Sequence, residues 1–217
     1  MTSGSRAPGE REGGGARSGP RSRSPFGARA AVPHPAAILP LVNAVVTPPV
    51  GQPLQLVHPI LPPRARLWGA GRPSYPDEPP RADAVESGVR AWRESGVGLV
   101  LSLIEDWEVP RRAPGLFEVL AHERIDLRRY PIADFGVPRE VPGFGQLLRD
   151  VGERLAAGDG VLVHCNAGLG RTAVVLASIL KAHGLAVDPV TELRRIYRSS
   201  AMQEPVQEAF VRGLLTD

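Results

Sequence analysis

Apolar positions along this 217-residue chain fall into short β-branched runs that alternate with stretches of helical period. Gly160-Val161-Leu162-Val163 is entered through glycine and is apolar at each following position, the pattern of a strand buried on both faces. It leads through Asn166 to Gly170 into the helical run Ala173 to Leu180. Upstream, Arg66 to Pro73 reads as a strand leaving through a glycine turn, and Tyr75 to Pro80 as a proline-rich loop. Ala82 to Ser95 reads as a helix with Val85, Val89 and Trp92 on one face, closed by Gly96. Val97 to Leu103 is a second buried strand whose end, Ile104 to Glu108, turns polar. Leu116 to His122 is a short helix, and Ile125 to Tyr130 alternates apolar and charged residues like a sheet strand. Gly143 to Ala157 is an amphipathic helix ended by Gly158. Asp188 caps, and Pro189 opens, a further helix reaching Arg198. This order predicts an α/β fold, a central, mostly parallel sheet flanked by helices, with functional loops at the C-terminal ends of its strands.

The first 35 residues break the pattern. They are rich in Gly, Ser, Pro and Arg and nearly empty of large apolar side chains, so they are expected to be a disordered tail. Residues 36–63 read as an extended, proline-rich strap or linker, and residues 64–217 as the folded domain. Residues 1–30 carry six arginines against Glu10 and Glu12, a net +4, so of the overall +3 the remainder carries −1. The basic balance belongs to the tail and gives no reason to expect nucleic-acid binding. Ala36 to Val50 is apolar but broken by Pro40, Pro48 and Pro49, too short and interrupted to span a membrane. No apolar signal core follows the early arginines, and the chain has a single cysteine, which together lead us to expect a reducing, cytoplasmic setting.

That cysteine, Cys165, is delivered by the buried strand to its own tip. Between a strand and a helix N-terminus, Asn166, Ala167, Gly168, Leu169 and Gly170 form a loop that its two glycines allow to curl, aiming backbone N–H groups inward as a cradle for an anion. The helix terminus favours both a bound phosphate and the thiolate form of Cys165, the nucleophilic form. Arg171 offers a planar fork able to grip two phosphate oxygens while they rearrange into a trigonal bipyramid. Thr172 places a hydroxyl near the sulfur, where a hydrogen bond would stabilise it as a leaving group. His164 is expected to be buried and to hold the loop by hydrogen bonds to its carbonyls.

His164-Cys165, five residues, then Arg171-Thr172, with glycines at 168 and 170, resembles the signature loop of the cysteine-based protein tyrosine phosphatases. Tyr130-Pro131-Ile132-Ala133-Asp134 with Gly136 and Pro138, and then Ala201-Met202-Gln203, are most similar to the dual-specificity branch that holds kinase-associated phosphatase and the Cdc14-type enzymes. The resemblance covers about residues 64–215. It implies a phosphomonoester hydrolase working through a phosphocysteine, with no metal or organic cofactor. Such a reaction needs an acid to protonate the leaving oxygen. Asp134, in a loop bracketed by Pro131 and Pro138, is the candidate, ahead of Glu105 and Asp106. The resemblance also implies that Gln207 orients the hydrolytic water, with Gln203 at a neighbouring polar position of the same motif, although Glu204 replaces the usual Thr or Ser. Asn166 and Leu169 are neutral, which favours a phosphorylated protein side chain or small phosphomonoester over a polyphosphorylated lipid headgroup. Two other readings stand beside this one: a phosphoprotein-binding module without turnover, and a rhodanese-like sulfur carrier, against which the leading histidine and the Arg-Thr ending speak.

Overall fold

Five strands and seven helices form among the described residues, 48–214 of the computed structural model. The tail expected over 1–35 and the first part of the expected strap lie outside them. In chain order the elements are β1 (Leu54–Leu56), β2 (Arg66–Ala70), α1 (Ala82–Glu94), β3 (Leu99–Ser102), α2 (Val109–Arg112), α3 (Leu116–His122), β4 (Asp126–Arg129), α4 (Val141–Ala156), β5 (Gly160–His164), α5 (Arg171–Ala182), α6 (Pro189–Ile196) and α7 (Pro205–Gly213). The sheet order is β1-β2-β5-β3-β4; β1 is antiparallel to β2, and the other pairs are parallel. The sheet therefore begins at Leu54, upstream of the expected boundary at residue 64, because β1 brings the buried Leu56 onto the edge of β2.

Alternation along the central strand sorts the core into two layers. Val161 and Val163 of β5 pack with Leu99 and Leu101 of β3 and with apolar residues of α4 to α7, among them Phe144, Leu147, Val174, Leu176, Leu193 and Val211. Leu162, one residue out of phase, faces the opposite layer, which holds Trp68, Val100, Val85, Val89 and Trp92 of α1, and Leu116 and Leu120 of α3. Period two in the strand thus puts successive side chains on opposite faces, and both faces are covered. Every residue of β5 is buried, whereas β4, at the sheet edge, exposes Asp126, Leu127 and Arg128. Charged side chains on that free edge discourage pairing with another chain. The Asp188 side chain accepts from the Thr191 amide and caps α6 as expected.

Gly69 of β2 shows how closely the second half of the chain sits on the sheet. A Cβ there would lie 2.6 Å from Leu176 Cδ1 and 2.7 Å from Tyr197 Cζ. Tyr197 is itself pinned, since its hydroxyl donates to the Gly168 carbonyl at 2.8 Å. Gly69→Ala is therefore expected to destabilise the fold by about 1–3 kcal/mol through overpacking, read as a lowered thermal-unfolding midpoint with the cysteine loop displaced.

Candidate active site

Four carbonyl groups of the loop after β5 are tied down by hydrogen bonds. Cys165 O accepts from His164 Nδ1 (3.2 Å), Asn166 O from the Arg72 amide (2.9 Å), Gly168 O from the Tyr197 hydroxyl and Leu169 O from the Met202 amide (2.9 Å). In a planar trans peptide the N–H points opposite to the C=O. The amides of Asn166, Ala167, Leu169 and Gly170 are consequently turned away from those anchors, as an anion cradle requires. The Gly168 amide donates to the Cys165 sulfur at 3.3 Å. Gly168 has φ +80°, and a Cβ on it would come within 2.5 Å of the Ala70 backbone, so only glycine fits. Arg72, fully buried at the end of β2, adds a hydrogen bond from Nε to Asn166 Oδ1 (2.9 Å) and one from Nη2 to Asp77 O (2.7 Å). Neither Arg72 nor Tyr197 was picked out by the sequence.

His164 is fully buried beside Trp92, with ring centroids 6.0 Å apart. Burial pushes its imidazole down to about 4 from an ordinary 6.5, so the ring is neutral near pH 7. Thr172 is buried beneath the loop, and its hydroxyl donates to the Ala70 carbonyl at 3.4 Å, where a hydrogen bond to the sulfur was expected.

Arg171 opens α5 and is 2% exposed. Its Nη1 donates to Glu108 Oε2 (2.6 Å) and Ile132 O (3.1 Å) and its Nη2 to Glu108 Oε1 (3.1 Å), while Asp134 Oδ1 forms an ion pair with Nη2 at 2.9 Å. Glu108 is wholly buried at the start of the short helix α2. Burial alone would raise its carboxyl, but hydrogen bonds from Arg171, the Glu105 amide and Arg112 prevail and hold it below the usual carboxylate range. Burial likewise works to lower Arg171, and the Glu108 carboxylate outweighs it and raises the guanidinium. The polar strand end that sequence treated as a source of rival acids thus serves differently. Asp106 pairs with Arg129 on the surface, Glu105 accepts from the Trp107 indole, and Glu108, not singled out from the sequence, orients Arg171.

A cavity of about 150 Å³ opens over this group, lined by Cys165, Asn166, Ala167, Gly170, Arg171, Asp134, Phe135, Tyr75 and Gln203. Asp134 enters from the loop after β4, with its two oxygens on Arg171 and on Arg112 Nη1 (3.0 Å). The two glutamines take different places. Gln203 lines the cavity, while Gln207 is buried behind it, accepting from the Gln203 amide (3.0 Å) and donating to Gly136 O (3.2 Å) in the Asp134 loop. Arg194 of α6 fixes the intervening turn through Ala201 O, Met202 O and Glu208.

A family model described as polymorphic toxin system, DSP-PTPase phosphatase, matches residues 76–185, which include Asp134, Cys165 and Arg171. The chain belongs to this phosphatase family. It is thereby a cysteine-based protein tyrosine phosphatase of the dual-specificity branch. Solved phosphatases share the fold. Kinase-associated phosphatase, crystallised with serine for its catalytic-site cysteine, is 22% identical with a TM-score of 0.60 over 67% of this chain and 83% of that one. Tk-PTP in its active form is 24% identical (TM-score 0.54, 72% and 96% covered), and a putative protein tyrosine phosphatase from Leishmania major is 17% identical (TM-score 0.55, 74% and 98%). No curated protein sequence matches the chain. Among the described residues of this phosphatase, no group of three or more His, Cys, Asp or Glu side chains could hold a metal ion, and no helix is long and apolar enough to cross a membrane.

The buried neutral His164 has a measurable consequence. Its folded value lies below the ordinary one, so the unfolded chain binds more protons between pH 6.5 and about 4. The stability it contributes is fully present above pH 6.5 and is lost as pH falls through that window, by about 3 kcal/mol in total. Urea unfolding at pH 7 and pH 4.5 should show this component in the wild type and lack it in His164→Gln; equal pH slopes in the two proteins would refute the assignment.

Proposed function

We propose that the protein hydrolyses phosphomonoesters through a covalent phosphocysteine on Cys165, acting on phosphorylated protein side chains. The observation that carries this reading is the placement of the Cys165 sulfur on the floor of the cavity, under an inward-facing loop, with Arg171 and Asp134 on the same wall. The thiolate attacks phosphorus in line with the leaving oxygen. As the S–P bond forms and the P–O bond breaks, Arg171 and the loop amides hold the charge on the equatorial oxygens. Asp134 gives its proton to the departing oxygen and then takes one from the water that attacks the phosphocysteine, releasing phosphate and regenerating the thiolate. Gln203, exposed to the cavity, and Gln207, which positions both Gln203 and the Asp134 loop, are suited to orienting that water.

Tyr75 and Phe135 line the same cavity and provide apolar surface for an aromatic ring, which supports phosphotyrosine among the side chains accepted, with phosphoserine and phosphothreonine as further candidates. The neutral loop residues Asn166 and Leu169 support a monoester over a polyphosphorylated headgroup. The single cysteine supports action in a reducing, cytoplasmic compartment.

Hydrolysis of para-nitrophenyl phosphate and of a phosphotyrosine peptide tests the reading. Cys165→Ser should abolish turnover of both, and Asp134→Asn should lower kcat on the peptide by about 10²–10⁴-fold. A wild-type protein that binds phosphopeptide without turning it over would instead establish the binding module, and turnover of thiosulfate with a persulfide on Cys165 the sulfur carrier.

A further inference from the structure

The guanidinium of Arg171 is almost fully engaged before any substrate arrives. Both N–H groups of Nη1 are taken, by Glu108 and the Ile132 carbonyl, and Nη2 donates to Glu108 while Asp134 Oδ1 lies against it in an ion pair at 2.9 Å. Nε makes no hydrogen bond to protein among the described residues. A fork that grips two phosphoryl oxygens needs two N–H groups along one edge. The edge formed by Nε and Nη2 is half occupied by Asp134 Oδ1. A phosphoryl oxygen therefore has to take the place of that carboxylate oxygen, and the acid has to let go of Arg171 without leaving the cavity.

The structure assigns the retaining role to Arg112: we propose that Arg112 is a positioning residue that holds Asp134 at the site when phosphate displaces it from Arg171. This rests on the phosphatase reading above. The geometry is specific. Asp134 Oδ2, the oxygen not on Arg171, sits 3.0 Å from Arg112 Nη1. The same Nη1 lies 2.5 Å from Glu108 Oε1, so Arg112 is fastened to the carboxylate that fastens Arg171, and the two guanidiniums are spaced by one shared, wholly buried anchor. From the outer side Arg112 is braced by Glu78 (3.5 Å from Nε) and lies over the Trp107 ring at 5.8 Å. Its side chain is only 18% exposed, which screens these contacts less than at an open surface. Burial works to lower the Arg112 guanidinium, but its hydrogen bonds to Asp134 and then Glu108 outweigh this and raise it, so it remains charged throughout the working range.

Asp134 thus has two sockets, one shared with the substrate and one of its own. On binding, phosphate takes the first and the carboxyl pivots about the second. It stays within reach of the leaving oxygen, where the acid is needed as the P–O bond breaks. Phe135 has φ +58° and the Gly136 amide donates to the Ala133 carbonyl at 2.8 Å, so the backbone at this point is a tight turn around which such a pivot can occur.

A residue that acts only by holding the general acid matters in proportion to how badly the leaving group needs a proton. The test compares an aryl phosphate whose phenol is strongly acidic, such as 2,4-dinitrophenyl phosphate, with phenyl phosphate, for wild type, Arg112→Met, Arg112→Lys, Asp134→Asn and the double variant Arg112→Met/Asp134→Asn. Thermal midpoints recorded alongside identify folded variants. Arg112→Met should lose about 30-fold or more in kcat on phenyl phosphate and less than about 3-fold on the dinitrophenyl ester. Arg112→Lys should recover part of the loss, and Arg112→Met should add little once Asp134 is Asn, as expected for groups acting as a unit. Equal losses on the two esters, or a further full loss in the double variant, would overturn the role of Arg112 while leaving the phosphatase intact. A wild type inert toward both esters would overturn the phosphatase reading and this one with it.

Discussion

Everything at this site depends on the direction in which five peptide units face. An anion can be held by backbone amides only if the carbonyls on the same planes are satisfied elsewhere, because a buried unpaired carbonyl costs about as much as the bond the amide would gain. The chain meets that demand from four separate places: His164 within the strand, Arg72 at the end of β2, Tyr197 after α6 and Met202 in the following turn. The loop is short and glycine-containing, and would sample many shapes alone. Its single shape comes from the scaffold.

The same economy governs the charged layer above it. Arg171 is buried, and an isolated guanidinium there would be costly; Glu108 makes it tolerable and at the same time fixes its plane. The arrangement resembles the way second partners orient ligating groups in other sites: Arg171, which lines the cavity, is aimed by Glu108, which does not. Helix α2, four residues long, exists to place Glu108 and Arg112 one turn apart.

Much of this was legible in the sequence, and the remainder was hidden for identifiable reasons. The strand, the loop with its two glycines and the helix after it are contiguous, so periodicity and spacing placed Cys165, Arg171 and the surrounding elements directly. Helices α1, α3 and α6 appeared near their expected bounds; α1 is closed by Gly96, which has a positive φ, and α6 is capped by Asp188. Glu108 lay in a polar stretch that looks like any solvated strand end; only the fold, by bringing residue 108 against residue 171, buries it. Tyr197 and Arg72 are similar cases, acting over 29 and 94 residues of separation. Strand β1 was missed because three residues between prolines carry no usable pattern.

The position of β5 in the sheet carries one more consequence, for the order of events during folding. The strand that bears the cysteine pairs with β2 and β3, both far earlier in the chain, and with nothing adjacent in sequence. Such pairing closes long loops and belongs to the slow, late part of assembly. The anchors of the loop come from the end of β2 on one side and from the segments after α5 on the other. Ribosome-bound or truncated forms ending before residue 197 lack one of its fasteners altogether, so the full set of fasteners comes into being only with the completed domain.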